Sequence, residues 1–369
     1  MAFNLTLKSK TAEASFSISR DLLARFINSV NCIIPKKTTV PILRFVRVVF
    51  KNNDGFIRVT DTECYAELSL KGLFGSGEID LAVEYGAIET MLAKAPRSSG
   101  IFLVEREGTA LVFKDNCYTC GKFAGVPGVD CPTLTIPIDT DEGWVEMSAK
   151  DTQFIYKHVS PLCIEDPQYT ALNSILFEEN DITYGFAATD RHALIFTKFI
   201  ENPTFRRALP CKAFKAMSLF NADSNLMLYM GFYKFESKQF SVYGPFIGGT
   251  YPDFHKLVDT GDTFTHVLKV NVKALRDELN RLSMVVPHTS KGYCPVMLTY
   301  GPEYLGVQET PSDYDFGDGK GIKMDAVKLL ELMDRFDDNS PVVFKATDVI
   351  SHPTVWKDGR ATTLFMPMV

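Results

Sequence analysis

The chain has 369 residues, 46% of them hydrophobic, 23% charged and 12% aromatic, a globular make-up that excludes disordered, collagenous and fibrous classes. Thirty-nine Lys and Arg against 45 Asp and Glu leave a net charge of −6. That disfavours a uniformly basic nucleic-acid binder but permits a basic stripe on one surface. No stretch approaches the roughly 18 apolar residues of a membrane span, and eight cysteines in this length make no disulfide scaffold. A cytoplasmic protein with reduced thiols is expected.

Met1–Lys10 alternates apolar and polar residues and lacks a charged start followed by an apolar run, so it reads as a strand and not as a signal peptide. Short alternating runs such as Phe56–Thr60, Gly100–Lys114, Asp181–Thr189 and Asn225–Val242 make most of the chain β. Six segments carry helical spacing instead: Asp21–Ile34, Tyr85–Ala95, Ala149–Leu162, Cys211–Phe220, Asn271–Val286 and Met324–Phe336. Ser19, Ser148 and Asn271 stand where helix caps belong.

The first, third and fifth of these segments begin near 21, 149 and 271; the second, fourth and sixth begin near 85, 211 and 324. Both series advance by similar steps, which predicts an α+β chain of three repeated units spanning 1–136, 143–258 and 264–369. Thr133–Glu142 and Val258–Thr265 have linker composition. The last step is the shortest, so the third unit is expected to lack a loop or a strand.

Short motifs recur at matching places in these units. The first has Val40-Pro41-Ile42-Leu43, Thr60-Asp61-Thr62-Glu63 and Val129-Asp130-Cys131-Pro132. The second has Leu172–Phe177, Thr189-Asp190-Arg191-His192-Ala193-Leu194 and Gly249-Thr250-Tyr251-Pro252-Asp253-Phe254, and the chain closes on Met366-Pro367-Met368-Val369. Together and in this order they resemble the bacterial DNA polymerase III β subunit, the sliding clamp, over essentially the whole chain.

The resemblance implies three DNA-clamp domains per chain, with sheets outside and two helices per domain lining a ring. The ring is a head-to-tail homodimer that encloses duplex DNA without reading its sequence and gives a polymerase processivity. It implies no catalysis and no cofactor. Partners would be the polymerase catalytic subunit, a clamp loader and other proteins carrying short binding motifs.

Such a ring needs only scattered cations on its inner wall. The helical segments and the adjoining loop supply Arg20, Arg25, Lys36, Lys37, Lys94, Lys150, Lys157, Lys212, Lys215, Lys273, Arg276, Arg281, Lys328 and Arg335. Ordinary solvated helix faces would carry the same residues. The resemblance further implies a hydrophobic cleft for peptides bearing a glutamine and two bulky apolar residues. Matching positions are Leu172, Thr189, Arg191, His192, Leu194, Pro252, Lys256, Leu257, Leu364, Met366, Pro367 and Met368, a deformable socket suited to several partners. Met284 and Val285 match positions of the ring interface.

The chain departs from the family at that cleft. Arg191 stands where Gly is usual, at a position that would favour φ > 0; Ala193 replaces an Arg, Lys256 replaces an Arg, and the terminal Arg-Leu is missing. A phage or otherwise divergent replication system fits these differences.

Other chemistries are open to the same residues. A β-rich hydrolase would use Asp190 with His192, and Asp253 with His255 makes a second acid–histidine pair, but no nucleophile motif accompanies either. A β-rich binding module without a DNA role is the third reading. Cys117 and Cys120 point to opposite faces if they lie on a strand, which is wrong for one metal. Gly317–Gly321 lacks the spacing of a phosphate loop, and Asp313, Asp315 and Asp318 do not fit a calcium loop.

Overall fold

The computed structural model describes residues 13–95, 100–115, 118–136, 144–164, 168–229, 231–259, 264–290, 292–301, 304–310, 321–347 and 352–368. The expected N-terminal strand, Cys117 and the acidic stretch at 313–318 lie outside them. The chain folds into two compact units, residues 1–153 with 212–246 and residues 154–211 with 247–369.

The first unit holds a five-stranded and a nine-stranded antiparallel sheet. Helix α1 (Arg20–Val30) starts where Ser19 Oγ accepts the Leu22 N–H and buries Leu23, Phe26, Ile27 and Val30. Phe26 meets Phe240 edge-on and Phe220 stacks on the same ring, which fixes α1 and α4 (Cys211–Phe220) to one strand. Helix α2 (Tyr85–Lys94) follows its strand without a loop. The nine-stranded sheet is continuous because strand Tyr65–Ser69 pairs with Phe240–Pro245, Tyr65 opposite Tyr243.

The second unit holds an eight-stranded and a three-stranded sheet. Its strand Ala193–Phe196 pairs with Thr362–Phe365, Leu194 opposite Leu364. A short helix α5 (His255–Asp259) precedes α6 (Val272–Val285) and α7 (Ala326–Met333). Asn271 and Asp325 cap the two long helices through the Ala274 and Val327 amides. Trp356 is fully buried against Phe344.

Five of the six predicted helices change at an end, α2 only by yielding Ala95 to its C-cap. α1 stops at Val30 and turns before Pro35, and α6 keeps its interior but loses Asn271 to the cap. Met324 and Asp325 end a strand, so α7 begins at Ala326. Helix α3 (Ala149–Phe154) becomes a π turn over Ile155–Val159 and a 3-10 turn over Ser160–Leu162. Pro161 has no N–H and cannot continue an α-helical ladder. Asn225–Val242 is a run of three strands and Gly100–Lys114 a hairpin.

A shared device closes two of the helix pairs. Arg20 Nη2 donates to the Leu92 and Ala95 carbonyls at 3.0 and 2.7 Å, satisfying the C-terminal end of α2. Arg276 Nη2, on α6, donates to the Met333 and Phe336 carbonyls at 2.7 and 2.6 Å at the end of α7. In both, a cation sits on the negative pole of a helix whose last carbonyls lack intrahelical partners.

The sheets also follow a rule. After α1, α3, α4 and α7 come three hairpin-linked strands, and the third joins two such runs: that after α1 to that after α4, and that after α3 to that after α7. The third strand after α2, Tyr118–Ala124, lies at a sheet edge. Among the described residues only Pro295–Tyr300 and Leu305–Glu309 lie between α6 and the strand leading into α7, and Leu305–Glu309 is also an edge.

Candidate functional site

The Thr189–Ala193 segment is a turn built on its own side chains. Thr189 Oγ1 accepts the Arg191 N–H at 3.1 Å, and Asp190 Oδ1 accepts the His192 and Ala193 N–H groups at 2.9 and 2.7 Å. Arg191 has φ 75°, the left-handed conformation that explains a usual glycine; its guanidinium lies 4.7 Å from the Tyr169 ring centroid. Thr60–Cys64 forms the same turn, with Thr62 at φ 79° and the Asp61 carboxylate accepting from Glu63 and Cys64.

Asp190 therefore does not orient the His192 imidazole for general-base work; its contacts to His192 go to the backbone. Its second oxygen faces Lys328 Nζ at 3.4 Å. The first unit repeats this pairing, with Lys212 on both Asp61 and Glu63, the latter at 2.8 Å. Burial opposes the Lys212 charge, yet Asp61 and Glu63 hold its pKa above the ordinary lysine value.

The chain terminus is threaded against this turn. Met366 N–H donates to the His192 carbonyl and Met368 N–H to the Lys323 carbonyl, each at 2.8 Å. Behind them Leu194 and Leu364 join Ala171, Leu176, Phe196 and Tyr251 in one buried cluster, and Phe199, Val258 and Phe264 pack against its side. Of the residues expected in the cleft, Leu172, Thr189, Leu194, Leu364 and Pro367 are buried, Met366 and Met368 are half-buried, and Arg191, His192, Pro252 and Leu257 are exposed. The Lys256 side chain lies outside what the structure describes. The result is an apolar floor with a partly open methionine rim. Sequence reasoning missed Tyr169, Tyr251 and Phe254 here, although the last two stand inside the Gly249–Phe254 motif.

The helix cations divide into two sets. Arg25, Lys36, Lys37, Lys94, Lys150, Lys157, Lys273 and Arg281 are exposed. Lys157 is 3.9 Å from Asp337, and Arg281 pairs with Glu278. Lys215 is half-buried. The others have structural duties: Arg20 and Arg276 on helix ends, Lys212 and Lys328 on turn carboxylates. Arg276 also pairs with Asp334 and Asp338, and Arg335 is buried.

Met284 and Val285, at the end of α6, are 84% and 56% exposed. Such exposure of two adjacent aliphatic side chains excludes the alternative that they are core. In the first unit a groove of about 560 Å³ lies between α2 and the edge strand, lined by Ala87, Met91, Lys94, Tyr118 and Phe123 among others.

No protein-family model and no curated protein matches the sequence. Solved structures do. The DNA polymerase III β subunit of Thermotoga maritima is 18% identical, covers 96% of this chain and 99% of its own, and superposes with a TM-score of 0.79. This chain has the sliding-clamp fold. The Pseudomonas aeruginosa sliding clamp bound to griselimycin is 16% identical at TM-score 0.78, over 97% of this chain and all of its own. The Helicobacter pylori β clamp bound to a DNA ligase peptide is 16% identical at TM-score 0.74, over 96% of this chain and all of its own. The sliding-clamp fold is α+β, as the helix and strand periodicities predicted.

Proposed function

We propose that the protein is a DNA sliding clamp, not an enzyme: an intracellular homodimeric ring that encircles duplex DNA and tethers a replicative polymerase. The observation that carries this reading is the full-length agreement with sliding-clamp structures. On this reading the domains are 1–136, 143–258 and 264–369, and each sheet seam joins two neighbouring domains.

The strand rule supplies independent support for closure. Among the described residues two seams are made within the chain, and two runs end at sheet edges, Tyr118–Ala124 and Leu305–Glu309. Pairing these edges between two copies, head to tail, joins sheets of five and three strands into one of eight, the size of the sheet that holds the Leu194–Leu364 seam. Met284 and Val285 of one copy would then fill the groove between α2 and Tyr118–Ala124 of the other, burying apolar surface that is costly to leave in water.

Exposed cations such as Lys94, Lys150 and Lys273 give the inner wall its attraction for phosphates without sequence preference. The floor under Met366 and Met368 takes short apolar peptides, as the Helicobacter pylori clamp takes a ligase peptide. Polymerase, clamp loader and other motif-bearing proteins would compete for it.

Negative-stain electron microscopy of the cross-linked protein tests the reading. A six-lobed ring with a central hole is expected. Compact particles lacking a hole at every protein concentration would overturn it.

A further inference from the structure

On the clamp reading the exposed Pro252 and Leu257 form one wall of the cleft; Tyr251 and Phe254 anchor their segment in the core, and His255 adds polar ties to the sheet. Its ring stacks on Phe254, with centroids 4.7 Å apart, and tilts against Phe199 at 5.2 Å. Nδ1 lies 3.1 Å from Asp253 Oδ1. Nε2 lies 3.2 Å from the Ile200 carbonyl and 3.5 Å from Glu178 Oε2.

Among the described residues, every polar atom facing the two ring nitrogens is an acceptor: two carboxylate oxygens and a carbonyl. A neutral imidazole has one N–H, so in either tautomer a ring lone pair would face an acceptor lone pair. Only the imidazolium donates on both sides. The charges around it are Glu178 on strand Ser174–Glu179, Asp253 just before α5, and Arg206 on strand Phe205–Pro210. Arg206 Nε sits 2.6 Å from the other Glu178 oxygen, so the buried Glu178 carboxylate bridges Arg206 and the His255 ring. Burial raises the Glu178 pKa above the ordinary value although Arg206 and His255 pull against it, and the bonds from His255 lower that of Asp253.

We propose that His255 is a positioning residue of the partner cleft: as an imidazolium it holds α5 against the sheet, and its deprotonation loosens the Pro252–Leu257 wall. Peptide affinity is therefore high where the ring is protonated and lower where it is neutral. This rests on the clamp reading of the cleft.

The test uses the full chain, a fluorescent synthetic peptide carrying a glutamine and two bulky apolar residues, and hydrogen exchange of the α5 amides. Between about pH 5.5 and about pH 8.5 the wild type should lose about tenfold in affinity. His255→Gln should bind weakly with no pH dependence. His255→Arg, a permanent cation, should restore tight binding that is flat with pH. Amide protection of α5, corrected for intrinsic exchange, should fall with rising pH in the wild type alone. A His255→Gln protein that keeps the wild-type pH slope, or wild-type α5 protection indifferent to pH, would overturn the proposal. Absence of peptide binding at every pH, with α5 protection still following His255, would sink the cleft reading and leave the His255 tether intact.

Discussion

Lys328 Nζ stands 3.4 Å from the one carboxylate, Asp190, whose other oxygen holds two backbone amides of the cleft turn. Helix α7 and the turn are therefore set by a single side chain. Asp190→Ala strips a buried turn of its acceptor and should cost about 1–3 kcal/mol. Asp190→Asn retains the acceptor oxygen and should cost less. Urea unfolding of the two variants checks the order; equal losses would place the cost in the ion pair instead.

Lys212 and the exposed lysines should separate in a single experiment. Replacing Lys94, Lys150 and Lys273 by Glu should reduce the salt dependence of duplex binding, by a slope of roughly 0.9 for each phosphate that is no longer neutralised. Lys212→Met leaves Asp61 without its cation and should lower stability by about 1–3 kcal/mol, with the salt slope unchanged. Anisotropy titrations from about 50 to about 200 mM salt, alongside urea curves, distinguish the two effects.

Arg276→Ala should act in the same way as Lys212→Met. Its guanidinium serves the carbonyls ending α7, and charged hydrogen bonds of this type are worth about 1.5–3 kcal/mol. Hydrogen exchange should show the loss concentrated in α6 and α7. Uniform loss across the second unit would argue against a local cap.

On the ring reading, Met284→Asp together with Val285→Asp should convert the proposed dimer into a folded monomer. Two carboxylates entering the groove beside α2 would meet one lining cation, Lys94, among mostly apolar neighbours, so their desolvation is not fully offset. Sedimentation velocity reads the assembly state and circular dichroism the fold. An unshifted dimer would remove these two residues from the interface.

His158 predicts the acid limb of stability. Burial, and then neighbouring Lys157, push its pKa down to about 4. The unfolded chain takes up the proton first, near pH 6.5, so this contribution is complete above that value and is lost as pH falls towards 4. After solvent screening it amounts to about 1 kcal/mol. His158→Phe, which can keep the stack on Phe154, should flatten the loss between those pH values in thermal melts.

Helix interiors were legible in the sequence because they depend on local spacing: Leu275, Leu279 and Leu282 are buried on one face as their period requires. The α7 start was also legible in principle, since Asp325 before an apolar run is a cap signal. The roles of Lys212 and Arg276 were not. Their partners, Asp61 and the end of α7, lie 151 and about 60 residues away, and no local period records a distant carboxylate. The π turn after Phe154 was hidden for a related reason, since an apolar stripe looks alike in α and π geometry. In the proposed cleft, the methionines near Pro367 and the Thr-Asp turn stood out by residue type. The acceptors around His255 come from three separate stretches of chain and could be seen only after folding.

The two seams have a consequence for synthesis. Tyr65 pairs with Tyr243, so the first large sheet stays open until the ribosome has released residues far beyond its opening strands. Leu194 waits almost as long, for Leu364. Such long-range pairing folds slowly, and each waiting strand offers an unpaired edge to neighbouring nascent chains. A product truncated before Thr362–Phe365 would keep the Ala193–Phe196 edge permanently open.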